Sequence, residues 1–379
     1  MADGSVSGFV NDKYAPVREA FAANLASGAD VGACFAATVE GETVVDLWGG
    51  WADEAKTRPW QEDTIVNVYS TTKTMTALTA LLVADRGELD FEAPVAKYWP
   101  EFAANGKANV KVSHLMSHSA GLSGWKEPIT RDDLYDWDKA CALLAAQAPF
   151  WAPGTASGYH ALTQGYLVGE VVRRITGKSL GTVFREEIAE PLGADFHIGL
   201  PASEDPRVAD LIPPPPGSAI GDGEQSELSK NMSSNPPINP LDTRTRAWRA
   251  AEIPAAGGHG NARSIAEIHA ILANGGVAKG KRIMSEAGCR KALEQQIEGT
   301  DLIFEGPARF GMGFGLPSEM VPLPNPNTLF WGGYGGSLVI IDMDKRATFG
   351  YAMNKMVGTT TGDMRALGMA GAMWQVLSQ

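Results

Sequence analysis

The chain of 379 residues predicts an α/β protein whose sheet is assembled from both chain ends around a long, mostly helical middle. Three observations predict it: a strand-pair signal near the start, a second near the end, and helical patterning from about Thr74 to Leu200. Taken in order, "KYAPVREAFAANLAS" (13–27) sets Val17, Phe21 and Leu25 at helical spacing, so one face packs inward. "GACFAATVEGETVVDLWGG" reads as two strands around the turn Glu40-Gly41-Glu42. "TMTALTALLVADRG" reads as a helix, and "TQGYLVGEVVRRITG" as another that stops on Gly177. Residues 201–250 change character: "LIPPPPGSAIGDGEQSELSKNMSSNPPINPLD" is rich in Pro, Gly, Ser and Asn, a long loop that either connects or covers a site. "GGSLVIIDMDKRATFGYAMN" is the second hairpin, and "DMRALGMAGAMWQVLS" (363–378) a closing apolar helix.

Composition removes several functions. With 32 basic against 44 acidic residues, the net charge of −12 repels a phosphate backbone, so nucleic acid is not an expected partner. Cys34, Cys141 and Cys289 are odd in number and far apart, which indicates neither disulfides nor zinc and predicts buried small hydrophobes. "MADGSVSGFVNDKY" has no basic segment followed by an apolar one, and no run approaches the roughly 18 apolar residues of a membrane span. The expectation is a cytoplasmic, reduced protein with no membrane partner; composition leaves the oligomeric state open.

Several motifs fail. "TGKS" (176–179) resembles the end of a phosphate-binding loop, but the upstream glycine is Val172 and the segment ends a helix. There is no HExxH, no zinc spacing among the six histidines, and no GxSxG. His114 and His118 stand four apart in "VSHLMSHSAGLSGW" and read as locally bonded imidazoles at a helix end closed by Gly121, with His118 as a general base the minor alternative.

Chemistry concentrates at "NVYSTTKTMTALTALLV" (67–83), where Ser70 precedes Lys73 by three at a helix start. A serine hydroxyl attacks only when its proton is removed, and a lysine removes it only when its pKa is lowered. Positions i and i+3 share a helix face, so the two are neighbours without tertiary help, and first-turn N–H groups face the reacting centre. The competing reading is a helix-capping serine. The spacing recurs at Ser123 and Lys126, but Gly121, Gly124 and Pro128 make that stretch a loop. Tyr159, after "PGT" and before a helix, is placed to share a proton or to anchor as an aromatic. "LFWGGYGGSLVII" carries paired glycines entering a strand, where backbone can approach a ligand closely or a bulge can form.

Ser70-Thr71-Thr72-Lys73, Tyr159 after "PGT", and Trp331-Gly332-Gly333, in that order, resemble the serine β-lactamase and penicillin-binding-protein superfamily. Within it the chain is most similar to family VIII carboxylesterases, relatives of class C β-lactamases, over nearly its whole length. The resemblance implies an antiparallel sheet flanked by helices beside a mostly helical domain: 1–75 and 250–379 as the α/β part, and 76–249 as the helical part with its 201–249 loop. It implies Ser70 as nucleophile, Lys73 as base and Tyr159 as proton relay. It places an oxyanion hole at the backbone N–H groups of Ser70 and Tyr334, and Trp331, Gly332 and Gly333 along the acyl site. No metal or organic cofactor is implied.

Two departures from the superfamily pattern bear on substrate. Ala161 stands where a Tyr-x-Asn motif carries an amide, and Trp331 where a Lys-Thr-Gly motif carries a cation for a carboxylate. Both favour neutral esters, so the expected reaction is hydrolysis of small, short-chain acyl esters through an acyl-enzyme. A β-lactamase or D-amino-peptide hydrolase, an acyltransferase, and a non-catalytic scaffold are the alternatives.

Overall fold

The computed structural model describes residues 5–218, 225–360 and 362–379; residues 219–224 of the Pro-rich segment lie outside them. In chain order the main elements are β1 (Ser7–Val10), α1 (Ala15–Ala26), β2 (Gly32–Val39), β3 (Glu42–Gly50), α2 (Thr72–Asp85), α3 (Val112–Met116), α4 (Trp137–Ala146) and α5 (Thr163–Thr176). Then follow α6 (Glu227–Ser234), α7 (Ala262–Ala273), β4 (Ile297–Asp301), β5 (Gly306–Phe310), β6 (Thr328–Gly332), β7 (Leu338–Asp342), β8 (Ala347–Met353) and α8 (Met364–Leu377).

The expected hairpin forms between β2 and β3, where Val39 pairs with Glu42 across a two-residue loop. Glu40 and Gly41 take φ of 52° and 86°, the left-handed geometry that matches the twist of adjoining strands. The antiparallel sheet runs β1-β3-β2-β8-β7-β6, so the two chain ends meet where β2 pairs with β8. Side chains alternate along β8. Thr348 donates to Ala266 O of α7 at 2.8 Å, and a Cβ on Gly350 would lie 2.6 Å from Ala262 O, so that face receives α7 closely. Phe349 packs on Trp374 of α8 from the opposite face, and α1 lies against α8.

In the helical lobe, α2 is buried from Thr72 through Val83 and packs on α5. A helix buried all round must satisfy its own polar side chains. Thr74 and Thr79 donate back to Thr71 O and Met75 O, and Thr76 to Pro254 O. Gly177 ends α5 at φ 72°, as its position predicts.

Two local expectations are corrected. α3 stops at Met116, before His118, because His118 itself takes φ 59° and turns the chain; His114 and His118 share no helix face. The Pro-rich segment is not loop throughout: α6 and short helical turns interrupt it. Of the paired glycines, Gly332 ends β6 and Gly333 follows it out of that strand, while Gly335 and Gly336 lead through Ser337 into the buried β7. The cysteines are buried and free as expected. Among the described residues no helix is long and apolar enough to cross a membrane.

Candidate active site

Ser70 lies in a short 3-10 turn, Tyr69–Thr71, that feeds directly into α2. The residue before it, Tyr69, is buried at φ 43°, a conformation costing a bulky residue on the order of 1–3 kcal/mol. Asn67 holds it there: its Oδ1 accepts the Tyr69 N–H at 3.1 Å, and its Nδ2 donates to Ala256 O at 3.1 Å. Ser70 does not act as the helix cap. Thr71 occupies that position without a side-chain capping bond, and Ser70 Oγ instead meets Lys73 Nζ at 3.0 Å and the Tyr159 hydroxyl at 2.6 Å.

Lys73 is fully buried, and its hydrogen-bond partners besides Ser70 are the carbonyls of Ala161 at 2.6 Å and Ala255 at 2.9 Å. None carries charge, so burial alone pushes its pKa well below the usual lysine value. A neutral amine has two N–H bonds and one lone pair. The two carbonyls take the N–H bonds, and the lone pair is left for the Ser70 proton. Burial moves Tyr159 the other way, above the ordinary phenol value, against its hydrogen bonds with Ser70, to which it donates, and with Trp331, which lower it. Burial thus favours the uncharged form of both groups, an amine and a phenol on one serine oxygen. The second Ser-x-x-Lys has no such arrangement: Lys126 lies over the Phe150 ring and Ser123 Oγ has no hydrogen-bond partner.

Tyr159 is seated by Asp301, whose Oδ1 accepts its backbone N–H at 3.1 Å, and its ring stacks on Phe304 at 4.7 Å. The connection from β6 to β7 is packed onto the nucleophile's segment. A Cβ on Gly333 would stand 2.1 Å from Val68 O, while Ser337 Oγ donates to the same carbonyl at 2.8 Å and meets Thr71 Oγ1 at 2.9 Å. The close approach that glycine permits here is to the protein's own backbone. It brings Tyr334 against Tyr69, rings 5.5 Å apart.

Trp331 stacks on the buried His118 at 5.3 Å. His118 Nδ1 accepts the His160 N–H at 3.1 Å, and burial with neighbouring His160 and Lys73 drives its pKa well down, so it is a neutral wall of the site. Beside Tyr159 and Trp331 opens a cavity of about 80 Å³, lined also by Phe304, Phe310, Leu316 and Phe330. A more open cleft of about 500 Å³ at Arg58, Asp63 and Arg207 touches none of Ser70, Lys73 or Tyr159. Asn67, Asp301, Phe304 and the Ala161 and Ala255 carbonyls escape sequence reasoning, because no local pattern marks groups that meet only in space.

Comparison with known proteins identifies the family and the fold. The Beta-lactamase family model matches residues 17–372. The chain is 36% identical over 366 residues to Esterase/beta-lactamase LipL of Mycobacterium tuberculosis, covering 93% of this chain and 83% of that protein. A crystal structure of a family VIII carboxylesterase superposes with a TM-score of 0.94 at 45% identity, over 98% of this chain and 100% of that one. A penicillin-binding protein homologue from Caulobacter crescentus superposes with a TM-score of 0.92 at 38% identity, over 98% and 100%.

Proposed function

Because the chain belongs to the Beta-lactamase family, we propose that it is a serine carboxylesterase of the family VIII type, hydrolysing small, uncharged, short-chain acyl esters through an acyl-enzyme on Ser70. The observation that carries the reading is Ser70 Oγ held between a buried, uncompensated Lys73 and the hydroxyl of Tyr159. In this scheme Ser70 attacks the ester carbonyl as its proton passes to Lys73 Nζ. The oxyanion is met by the N–H groups of Ser70 and Tyr334, each donor worth roughly 3 kcal/mol. The alcohol leaves with a proton from the Lys73 and Tyr159 pair, and the same pair activates the water that releases the acid.

Neutral esters are favoured over carboxylate-bearing substrates because the wall around Tyr159 is aromatic: Trp331 stacks on His118 and Phe310 packs against both where a cation would otherwise stand. Ala161 contributes its carbonyl to Lys73 and has no amide to hold a substrate side chain. A second reading, β-lactam hydrolysis on the same serine, is favoured by the name of the LipL relative, which covers both activities. The same proposal includes a helical insertion at 76–249 between the α/β parts 1–75 and 250–379, supported by a sheet that draws all its strands from Ser7–Gly50 and Thr328–Met353. It includes a cytoplasmic location, supported by three free buried cysteines.

Hydrolysis of p-nitrophenyl esters from acetate to laurate, with nitrocefin alongside, tests the reading on wild type and Ser70→Ala. Activity on short esters that is lost in the variant supports it. Higher kcat/KM on nitrocefin moves the assignment to β-lactams, and an active Ser70→Ala removes Ser70 from the chemistry.

A further inference from the structure

The turn between β4 and β5 is fastened to the site on one side and to the Pro-rich segment on the other. Asp301 Oδ1 accepts three backbone N–H groups, from Tyr159 at 3.1 Å, Ile303 at 2.9 Å and Phe304 at 3.0 Å. Leu302 N–H donates to Ser157 O at 2.8 Å. The turn is thereby stitched to the strip of chain that carries Tyr159. From the other side, α6 reaches it: Ser229 Oγ donates to Ile303 O at 2.8 Å, and Ser226 N–H to Glu305 at 3.3 Å. α6 is itself anchored, through Asn231 Nδ2 to Trp125 O at 2.9 Å.

At the tip of this turn Phe304 lies nearly parallel to the Tyr159 ring, at 24°, yet remains 42% exposed. It lines the cavity beside Tyr159 and Trp331; Val321 lines it too, and its neighbour Met320 is 64% exposed. The one charged side chain in the lining among the described residues, Arg309, is paired with Glu298 at 3.9 Å and donates to Gln295 Oε1 and Pro317 O. The lining thus selects for uncharged, apolar matter. At about 80 Å³ the cavity is small, which favours a short acyl chain over a long one.

We propose that Phe304 is the specificity-determining residue for the acyl group, restricting the enzyme to apolar chains of about acetyl to butyryl size, and that α6 sets its height through Ser229. The proposal rests on acylation at Ser70. It gives the Pro-rich segment a defined role: without Ser229's bond to Ile303, the longer Ser226 N–H bond to Glu305 alone fastens the turn from the α6 side, and Phe304 is freer to rise and lengthen the pocket. One added methylene in a fitted apolar pocket changes discrimination by about tenfold or more, so small displacements of Phe304 are readable in kcat/KM.

The experiment measures kcat/KM on p-nitrophenyl acetate, butyrate, hexanoate and octanoate for wild type, Phe304→Ala, Phe304→Leu and Ser229→Ala, each titrated with a fluorophosphonate to count reactive Ser70. The expected result is an octanoate-to-acetate ratio raised about tenfold in Phe304→Ala, less in Phe304→Leu, and about threefold in Ser229→Ala. An unchanged ratio in both Phe304 variants, with Ser70 labelled, overturns the proposal while leaving the esterase reading intact. An unchanged ratio in Ser229→Ala overturns the part assigned to α6, and this variant, remote from Ser70, remains informative if the Phe304 variants fail to fold. Wild type that is neither labelled nor active on esters overturns the proposal together with the reading beneath it.

Discussion

Lys73 Nζ stands 3.0 Å from Ser70 Oγ on the adjacent turn of the same chain, its other hydrogen-bond partners are uncharged carbonyls, and it lies over the Tyr159 ring at 4.8 Å. The lysine is therefore poised as an amine. Lys73→Met lowers kcat/KM on p-nitrophenyl acetate by about 10³-fold, and Tyr159→Phe by about 10²-fold, with the double variant no worse than Lys73→Met by more than a few-fold because the two act as a unit. Steady-state kinetics with fluorophosphonate titration checks this; additive losses would mean independent roles.

The pH dependence follows from the direction of each shift. Only neutral Lys73 accepts the serine proton, and its pKa lies well below the ordinary lysine value, so kcat/KM rises with pH and reaches its plateau far below pH 10. Tyr159, raised by burial, stays protonated across that plateau. Lys73→Arg is inactive at every pH, since a guanidinium does not give up its proton. A pH–rate profile from pH 5 to 10 measures both statements, and a rise only near pH 10 would contradict the first.

Gly333 has no room for a side chain, and the obstacle is the Val68 carbonyl, which has no rotamer by which to yield. Gly333→Ala displaces the segment bearing Tyr334 from the nucleophile's turn. Stability falls by about 2 kcal/mol, and kcat falls at least about tenfold as one oxyanion donor moves away. Thermal unfolding and kinetics report the two effects separately.

Asn67 secures the strained Tyr69 by two buried hydrogen bonds. Asn67→Ala leaves the Tyr69 N–H and the Ala256 carbonyl without this partner, costing about 1–3 kcal/mol. As Tyr69 relaxes from its left-handed conformation, Ser70 leaves its position and phosphonate labelling slows. Denaturant unfolding and labelling rates should change together; a stability loss with normal labelling would separate Tyr69 from the site.

Glu170 is buried in α5 and accepts from Arg173, Arg174 and the Trp137 indole. Burial raises its pKa, the three bonds lower it further, and the net shift is downward from 4.5. A carboxylate lowered on folding stabilises above its unfolded pKa, and the contribution disappears as pH falls through the folded value. Glu170→Gln costs about 2 kcal/mol at pH 7, toward the low end for a buried pair because both arginines are partly exposed and rehydrate. The difference from wild type shrinks below pH 4, which urea unfolding at pH 7 and pH 3.5 measures.

Much of the site is legible in the chain because its parts are local or ordered. Ser70 and Lys73 face each other through helical spacing, and the first hairpin announces itself through its Glu-Gly turn. The misreadings have local causes too. Gly121 resembles a helix stop, yet His118 adopts the left-handed turn first, held by burial among Tyr159, His160 and Trp331. Asp301 sits in "EGTDLIFEG", where nothing distinguishes it from a surface turn aspartate until it closes on the Tyr159 N–H, 142 positions away.

What the sequence by itself determined is which groups could react: a serine with a lysine one turn on, a tyrosine, and a tryptophan in place of a cation. Short-range geometry suffices for that, since an α-helix sets i and i+3 side by side wherever it forms. The protonation state was decided by the tertiary structure alone. The carbonyls that take the amine's two N–H bonds come from positions 88 and 182 residues distant, and burial around them removes the water that would keep Lys73 charged.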